Sequence, residues 1–305
     1  MANKRVLIVG YSQTGQLTQV TNSVTAPLQA KNIELEFLNL QPKHKFPFPW
    51  SFLTFLSIFP EAVAMQPIEL EPIVLPKDKK FDLIILSYQV WYLSPSLPIA
   101  SFMQSNAAKE VFKDTPVVTL IACRGMWLMA QEKMKQLLNK LEAKLVDNIV
   151  LVDECGSFTS FLATPLWMLT GNKQPWSWVP AAGIADSEIK ASSRFGQAIA
   201  KQLTNELAIT KPMLSGLGAV KINEKLILSE RIGQKSFSIW GKLLRTISPM
   251  HSIRRKIGVT LYSIFLITMI LTVVPISVLI KKLFAPLIAK QTHKQKAYFA
   301  QPSGE

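Results

Sequence analysis

Metal and disulfide chemistry have almost nothing to work with in this chain. Its 305 residues include two cysteines and three histidines. Cys123 and Cys155 make no disulfide framework, and His44, His251 and His293 are too scattered for a metal-ligand pattern, so no metal is expected. Also missing are the GK[ST] of a nucleoside-triphosphate loop and the three spaced glycines of a dinucleotide loop. The opening MANKRVLIVG has too short an apolar run for a secretory signal, so the N-terminal domain is expected on the cytoplasmic side. Acidic residues are scarce in one place only. Residues 211–305 hold 15 Lys+Arg and 3 Asp+Glu, against 19 and 17 in residues 1–210. A basic excess confined to the C-terminal third suits a polyanionic surface, either nucleic acid or anionic lipid.

What is present begins with RVLIVGYSQTGQL, Arg5 to Leu17. A short apolar run, Val6–Val9, ends at Gly10-Tyr11. Ser12-Gln13-Thr14-Gly15-Gln16 follows, and a helical pattern starts there. Strand, hydroxyl-rich loop and helix N-terminus together form a phosphate cradle, because loop N–H groups, hydroxyls and the helix dipole all favour an anion. With the two nucleotide motifs missing, the fitting ligand is a phosphate monoester. The competing account is an ordinary turn in which Ser12 or Thr14 caps the helix.

Strand signals recur at intervals suited to alternating β and α units. Val6–Val9, Ile33–Leu40, Phe81–Tyr88, Pro116–Ala122 and Asn148–Val152 are the five expected strands. Helices are expected from Gln16 to about Ala30, from Met126 to Leu145 and from Asp186 to Leu207. The fold class is α/β, a doubly wound five-stranded parallel sheet with order 2-1-3-4-5. Ligands of such sheets bind at the carboxyl ends of the strands, near the switch point. Three loops fall there: Ser12-Gln13-Thr14-Gly15, Gln89-Val90-Trp91-Tyr92-Leu93-Ser94-Pro95-Ser96, and Cys123-Arg124-Gly125-Met126-Trp127. The second offers aromatic faces, and the third a glycine for close approach and a guanidinium. Any one of Trp91, Tyr92 and Trp127 also reads as a core residue over the sheet, but three suitable loops on one edge favour a ligand.

YSQTGQL, DLIILSYQVWYLSPSLPIASFM and PVVTLIACRGMWLMAQEKM resemble the cofactor loops of flavodoxin-like flavoproteins, over residues 4–208. With FPFPW at 46–50 they resemble more closely the flavodoxin-like proteins of bacterial dialkylresorcinol biosynthesis, catalogued as "dialkylresorcinol condensing enzyme". The resemblance implies FMN as cofactor, held by Ser12, Gln13, Thr14, Gly15, Gln16 and Leu17, by Gln89, Val90, Trp91, Tyr92 and Leu93, and by Cys123, Arg124, Gly125, Met126 and Trp127. Leu17 departs from the pattern, since many flavodoxins carry a hydroxyl there. The resemblance also implies a ketosynthase-type partner that makes a dialkylcyclohexanedione, which this protein oxidises to the aromatic resorcinol. Removing two electrons and two protons from a ring does need a redox cofactor. Tyr92, Cys123 and Arg124 stand near by position, but no general base is assigned.

Two inserts, near 46–60 and 157–180, are long and apolar for connections in an α/β domain. They read as a pocket for a lipophilic small-molecule substrate, or equally as a satellite core or a homodimer surface. Beyond the flavodoxin-like domain, 1–210, come a basic amphipathic linker at 211–256, a transmembrane segment at 257–280 and a basic tail at 281–305. Ile257 to Ile280 runs 24 residues without a charge. That is about 36 Å of helix, longer than a hydrocarbon core of roughly 30 Å. Basic flanks on both sides make an anionic membrane the better partner, and no nucleic-acid motif accompanies them. A membrane-anchored FMN-dependent oxidoreductase is the leading expectation. An NAD(P)H-dependent quinone reductase and a non-catalytic membrane scaffold for the ketosynthase-type partner are the alternatives.

Overall fold

The computed structural model describes the backbone of residues 4–75, 80–153, 160–174, 176–178, 181–205, 209, 211–249, 252–283 and 285–305, and the side chains of these except 160–162, 270, 273–283 and 285–290. Five parallel strands form the sheet: β1 (Arg5–Gly10), β2 (Glu34–Asn39), β3 (Leu83–Trp91), β5 (Pro116–Cys123) and β6 (Lys144–Val152). A two-residue strand, β4 (Ser94–Pro95), folds back antiparallel on β3. The order is β2-β1-β3-β5-β6. Counted without β4, this is the expected 2-1-3-4-5, the flavodoxin-like doubly wound order. The inner strands are long β-branched and aliphatic runs because both of their faces are covered. Val6, Val9, Ile84, Ile85, Val117 and Leu120 are fully or almost fully buried.

Helix α1 (Gln16–Gln29) lies on one face with α8 (Asp186–Ala191) and α9 (Ser193–Thr204). The single closing helix expected from Asp186 is thus two, divided at Ser192. The Ser192 hydroxyl donates back to the Ile189 carbonyl at 2.6 Å, which diverts that carbonyl from the helical ladder. Helices α1 and α9 cross closely. A Cβ built on Gly196 would sit 1.9 Å from the Val24 carbonyl oxygen. On the opposite face lie α4 (Leu97–Phe102), α5 (Asn106–Phe112) and α6 (Leu128–Lys140).

Two short helices, α2 (Phe52–Ser57) and α3 (Phe59–Ala64), occupy the first insert, and α7 (Ser160–Thr170) lies in the second. The C-terminal third forms α10 (Glu224–Ile247), α11 (Ile253–Leu283) and α12 (Ala285–Ala300). The stretch expected as a linker is built into the domain. Leu214, Ala219, Val220 and Ile227 are buried in the two main cores, and Val150 N–H donates to the Ala219 carbonyl at 2.8 Å.

The uncharged run expected to span a bilayer lies inside α11, and the side chains of its second half fall largely outside the described residues. Among the described residues, no helix is long and apolar enough to cross a membrane. The first half of the run is also engaged with the rest of the protein. Val259 and Tyr262 are buried against Phe59 and Leu244. Just ahead of them, the buried Arg255 guanidinium pairs with Glu61 of α3 at 3.2 Å and donates to the Ser248 carbonyl at 2.7 Å. The expected free-standing span is thus unsupported where the structure describes it.

Candidate functional site

The loop after β1 does not end in a side-chain cap. Gly15 is the N-cap of α1, with φ of 79°, and no side chain accepts a hydrogen bond there. A non-glycine residue is strained at such a φ. The first-turn amides of α1 therefore face the loop without the cap that Ser12 or Thr14 could have supplied. The Ser12 Oγ is sealed from solvent and has no hydrogen-bond partner. A buried hydroxyl in that condition is costly unless a ligand completes it. Gln16 and Leu17 turn their side chains away. The Gln16 amide donates to the Ile184 carbonyl and accepts from the Ile184 N–H, each at 3.0 Å. Leu17 is a core residue. Both offer only their backbone N–H, so Leu17 no longer stands out as a misfit.

In the second loop, β3 runs on past the expected Tyr88 to Trp91 and turns directly into β4. The two turn residues, Tyr92 and Leu93, have φ of 49° and 58°. This is the two-residue hairpin geometry that normally selects Asn-Gly or a similar pair. Packing compensates for the unfavourable backbone. Leu93 is in the main core, and the Tyr92 ring lies 5.1 Å from Phe55 and 5.2 Å from Phe59, its hydroxyl donating to the Phe55 carbonyl at 2.7 Å. The Tyr92 and Leu93 side chains, expected at the cofactor, are thereby committed to packing. Trp91 remains half-buried, edge-on to Tyr11, Phe46 and Trp50 at centroid distances of 6.0, 4.9 and 5.9 Å. Gln89 ties the first two loops together, its Oε1 accepting from Gln13 N–H at 3.4 Å. Val90 is half-buried and packs against the main core. The two apolar inserts also meet here. Trp50 N–H donates to the Met168 carbonyl at 2.8 Å, and Phe48 lies 6.0 Å from Trp167.

The third loop carries Cys123, Arg124, Gly125 and Met126 half-buried at the end of β5, whereas Trp127 is a core residue. Burial pushes the Cys123 thiol well up, which makes it a poor nucleophile. Burial lowers the Arg124 guanidinium, and Asp153 opposes that shift. The next helix, α6, is capped from the far end of the chain. Glu230 of α10, fully buried, accepts the Met129 N–H through Oε1 at 2.7 Å. Its Oε2 has no partner, and burial pushes its carboxyl up to about 8. Lys133 of α6 is also buried, and its ammonium donates to the Val63 carbonyl at 2.8 Å and the Ser94 hydroxyl at 2.7 Å. Desolvation lowers it to about 8. Sequence reasoning missed both residues. Each is one charge among helical surface charges, with no sequence signal that sets it apart.

The structure therefore brings all three loops to one sheet edge, as the strand order requires. Ser12, Gln13, Thr14 and Gly15, with the N–H groups of Gln16 and Leu17, could hold a phosphate. Gln89, Val90 and Trp91, with Cys123, Arg124, Gly125 and Met126, could hold a flat ring system. A small recess of about 70 Å³ beside the first loop is lined by Tyr11, Ser12, Thr18, Asn22, Phe37 and Asn39. Burial pushes the Tyr11 phenol up to about 12, so it stays neutral and able to donate. Among the described residues, no group of His, Cys, Asp and Glu is arranged to hold a metal.

No protein-family model matches this chain, and no curated protein does. Solved structures with a similar fold include a flavodoxin from the domain Archaea. It is 11% identical, with 66% of this chain and 99% of that one covered at a TM-score of 0.37. A flavoprotein in complex with FMN from Lactobacillus acidophilus NCFM is 13% identical, covering 49% and 93% at 0.40. Oxidised Flavodoxin 1 from Bacillus cereus is 11% identical, covering 67% and 99% at 0.35. Similarity at this level carries no argument about function, and the fold assignment rests on the strand order itself.

Proposed function

We propose that this protein is an FMN-dependent oxidoreductase acting on a lipophilic cyclic substrate. One observation carries the reading: a sealed, unpartnered Ser12 hydroxyl beside a helix N-terminus that no side chain caps. A phosphate monoester would satisfy both, and FMN brings one to a fold of this strand order. When bound, the flavin supplies the hydride acceptor that protein side chains lack. The chain's own residues do the rest. Ser12, Thr14 and the N–H groups from Gly15 to Leu17 hold the phosphate, and the α1 dipole favours its charge. Arg124 supplies positive charge beside the ring-binding loops, where an electron-rich product would be stabilised. Phe46, Trp50 and Trp91 form an aromatic wall next to the same edge, suited to alkyl chains.

The finer reading follows the sequence resemblance. The substrate is a dialkylcyclohexanedione delivered by a ketosynthase-type partner, the product is the aromatic resorcinol, and the protein works at the cytoplasmic side of a membrane. Denaturing the purified protein should release FMN. A colourless protein that takes up no added FMN would sink the proposal. Single-turnover spectroscopy then separates reductive from oxidative roles. The dione alone should bleach the oxidised flavin. If only NAD(P)H does so, the protein is a quinone reductase. If mutating the first loop leaves pathway output intact while loss of residues 211–305 abolishes it, the scaffold reading wins.

A further inference from the structure

Helix α10 is amphipathic in an unusual sense, because its outward side is apolar too. Ile227, Gly241 and Leu244 face inward. Leu228, Ile232, Ile239, Leu243 and Ile247 are 45% to 68% exposed. At about 100° per residue these five fall within an arc of about 100°. Arg231, Lys235, Lys242 and Arg245 are exposed along the adjoining strip of the same helix. Helix α11 repeats the arrangement. Ile253, Ile257, Leu261, Ile264, Ile267 and Leu271 are 52% to 75% exposed and share an arc of about 120°. Arg254 and Lys256 are exposed at its start, while Arg255, Val259 and Tyr262 form its buried side.

Both helices bury their inner sides on α3. Gly241 lies against Pro60 and Val63, and Tyr262 stacks on Phe59 with centroids 4.6 Å apart. Their apolar stripes consequently both point away from the domain. Scattered exposed leucines need no explanation, but two continuous stripes on consecutive helices do.

We infer that α10 and the first half of α11 form an in-plane docking surface for an anionic lipid bilayer, resting on its headgroup region instead of crossing it. The inference deepens the membrane reading above and rests on it. Three observations select this occupant. First, cations border both apolar stripes, so buried aliphatic side chains and snorkelling Lys and Arg heads meet acyl chains and anionic headgroups together. Second, the three acidic residues of the C-terminal third are each buried or paired with a cation. Glu230 is buried, and Glu224 and Glu305 both pair with Lys296, at 3.4 and 2.8 Å. Exposed cations outnumber exposed acids on α10 and the start of α11, which suits an anionic surface, whereas a second copy of this face would bring like charge against like. Third, Arg255–Glu61 and the Phe59–Tyr262 stack hold the start of α11 to the domain. The exposed stripe of α11 is thereby presented by the folded domain together with that of α10.

Vesicle flotation of the full chain tests this. The protein should float with phosphatidylcholine–phosphatidylserine vesicles, at least tenfold more than with phosphatidylcholine alone. It should be released by high salt and by alkaline carbonate. The double substitution Ile239→Asp/Leu243→Asp should lower flotation at least tenfold. Because these side chains face outward, circular dichroism and melting temperature should not change, and those measurements confirm that the variant is folded. Lys235→Glu/Lys242→Glu should remove the preference for phosphatidylserine. Salt-independent binding to both vesicle types that resists carbonate would overturn the inference in favour of a span. So would a wild-type chain that dimerises without vesicles and becomes monomeric through Ile239→Asp/Leu243→Asp. A colourless protein that still floats would refute the flavin reading and leave this one standing.

Discussion

A carboxyl sealed at a helix N-terminus, with one oxygen unpartnered, holds its proton into the neutral range. Glu230 sits at about 8, well above the ordinary carboxylate value of about 4.3. The folded state therefore binds this proton more tightly than the unfolded state. Its contribution to stability is complete below the ordinary carboxylate range and is lost as pH rises through about 8. Glu230→Gln should flatten that decline, measured as urea midpoints at about pH 6 and about pH 9. Ser12 makes a prediction of the opposite kind. Ser12→Ala deletes an unpartnered buried hydroxyl, so the ligand-free protein should melt at the same temperature or higher. FMN should bind about tenfold more weakly, the worth of one hydrogen bond of about 1.4 kcal/mol, as read by titration calorimetry. The residues of the three loops could be identified from order and spacing alone. Their side-chain directions could not. Leu17, Tyr92, Leu93 and Trp127 all turn into packing, because direction depends on the turn type, and Tyr-Leu gives no hint of a tight hairpin.

Among the elements, buried strands were the easiest to read, since continuous apolar runs bounded by polar loops have few other uses. Their ends were less readable. β3 overran by three residues because β4 gave it a partner, which no local pattern announced. The break at Ser192 was also invisible, as Ile189, Phe195, Ile199 and Leu203 keep helical spacing across it. Two helix contacts give predictions at this scale. Gly196 lets α9 approach the backbone of α1, and Gly196→Ala forces them apart. A cost of about 3 kcal/mol or somewhat more is expected in chemical denaturation, the upper end for overpacking. Glu61 holds α11 against α3 through Arg255. Burial pushes its carboxyl up, and the guanidinium offsets only part of that. Glu61→Ala strands a buried guanidinium and should cost about 3–5 kcal/mol by the same measurement.

At the scale of the whole molecule, sequence reading divided the chain after residue 210, and the structure does not. The change from balanced to basic composition was real, but it marked a change of outer surface and not a boundary of the core. Phe237 packs on Phe59, Glu230 caps α6, and a Cβ on Gly233 would lie 3.4 Å from Leu93. The aromatic first insert was likewise legible as apolar but not as the seat of α10 and α11. A chain cut after residue 210 uncovers Phe59 and Leu93 together. It should aggregate, with light scattering rising at concentrations where the full chain stays clear.

The remote cap on α6 also imposes a schedule on synthesis. Met129 leaves the ribosome 101 residues before Glu230. At about 5–20 residues per second, that is an interval of about 5–20 s. Once Val152 has followed, all five long strands already exist, while α6 is still without its Glu230 cap. The nascent chain thus passes through a stage in which its strands are complete and its third loop leads into an uncapped helix.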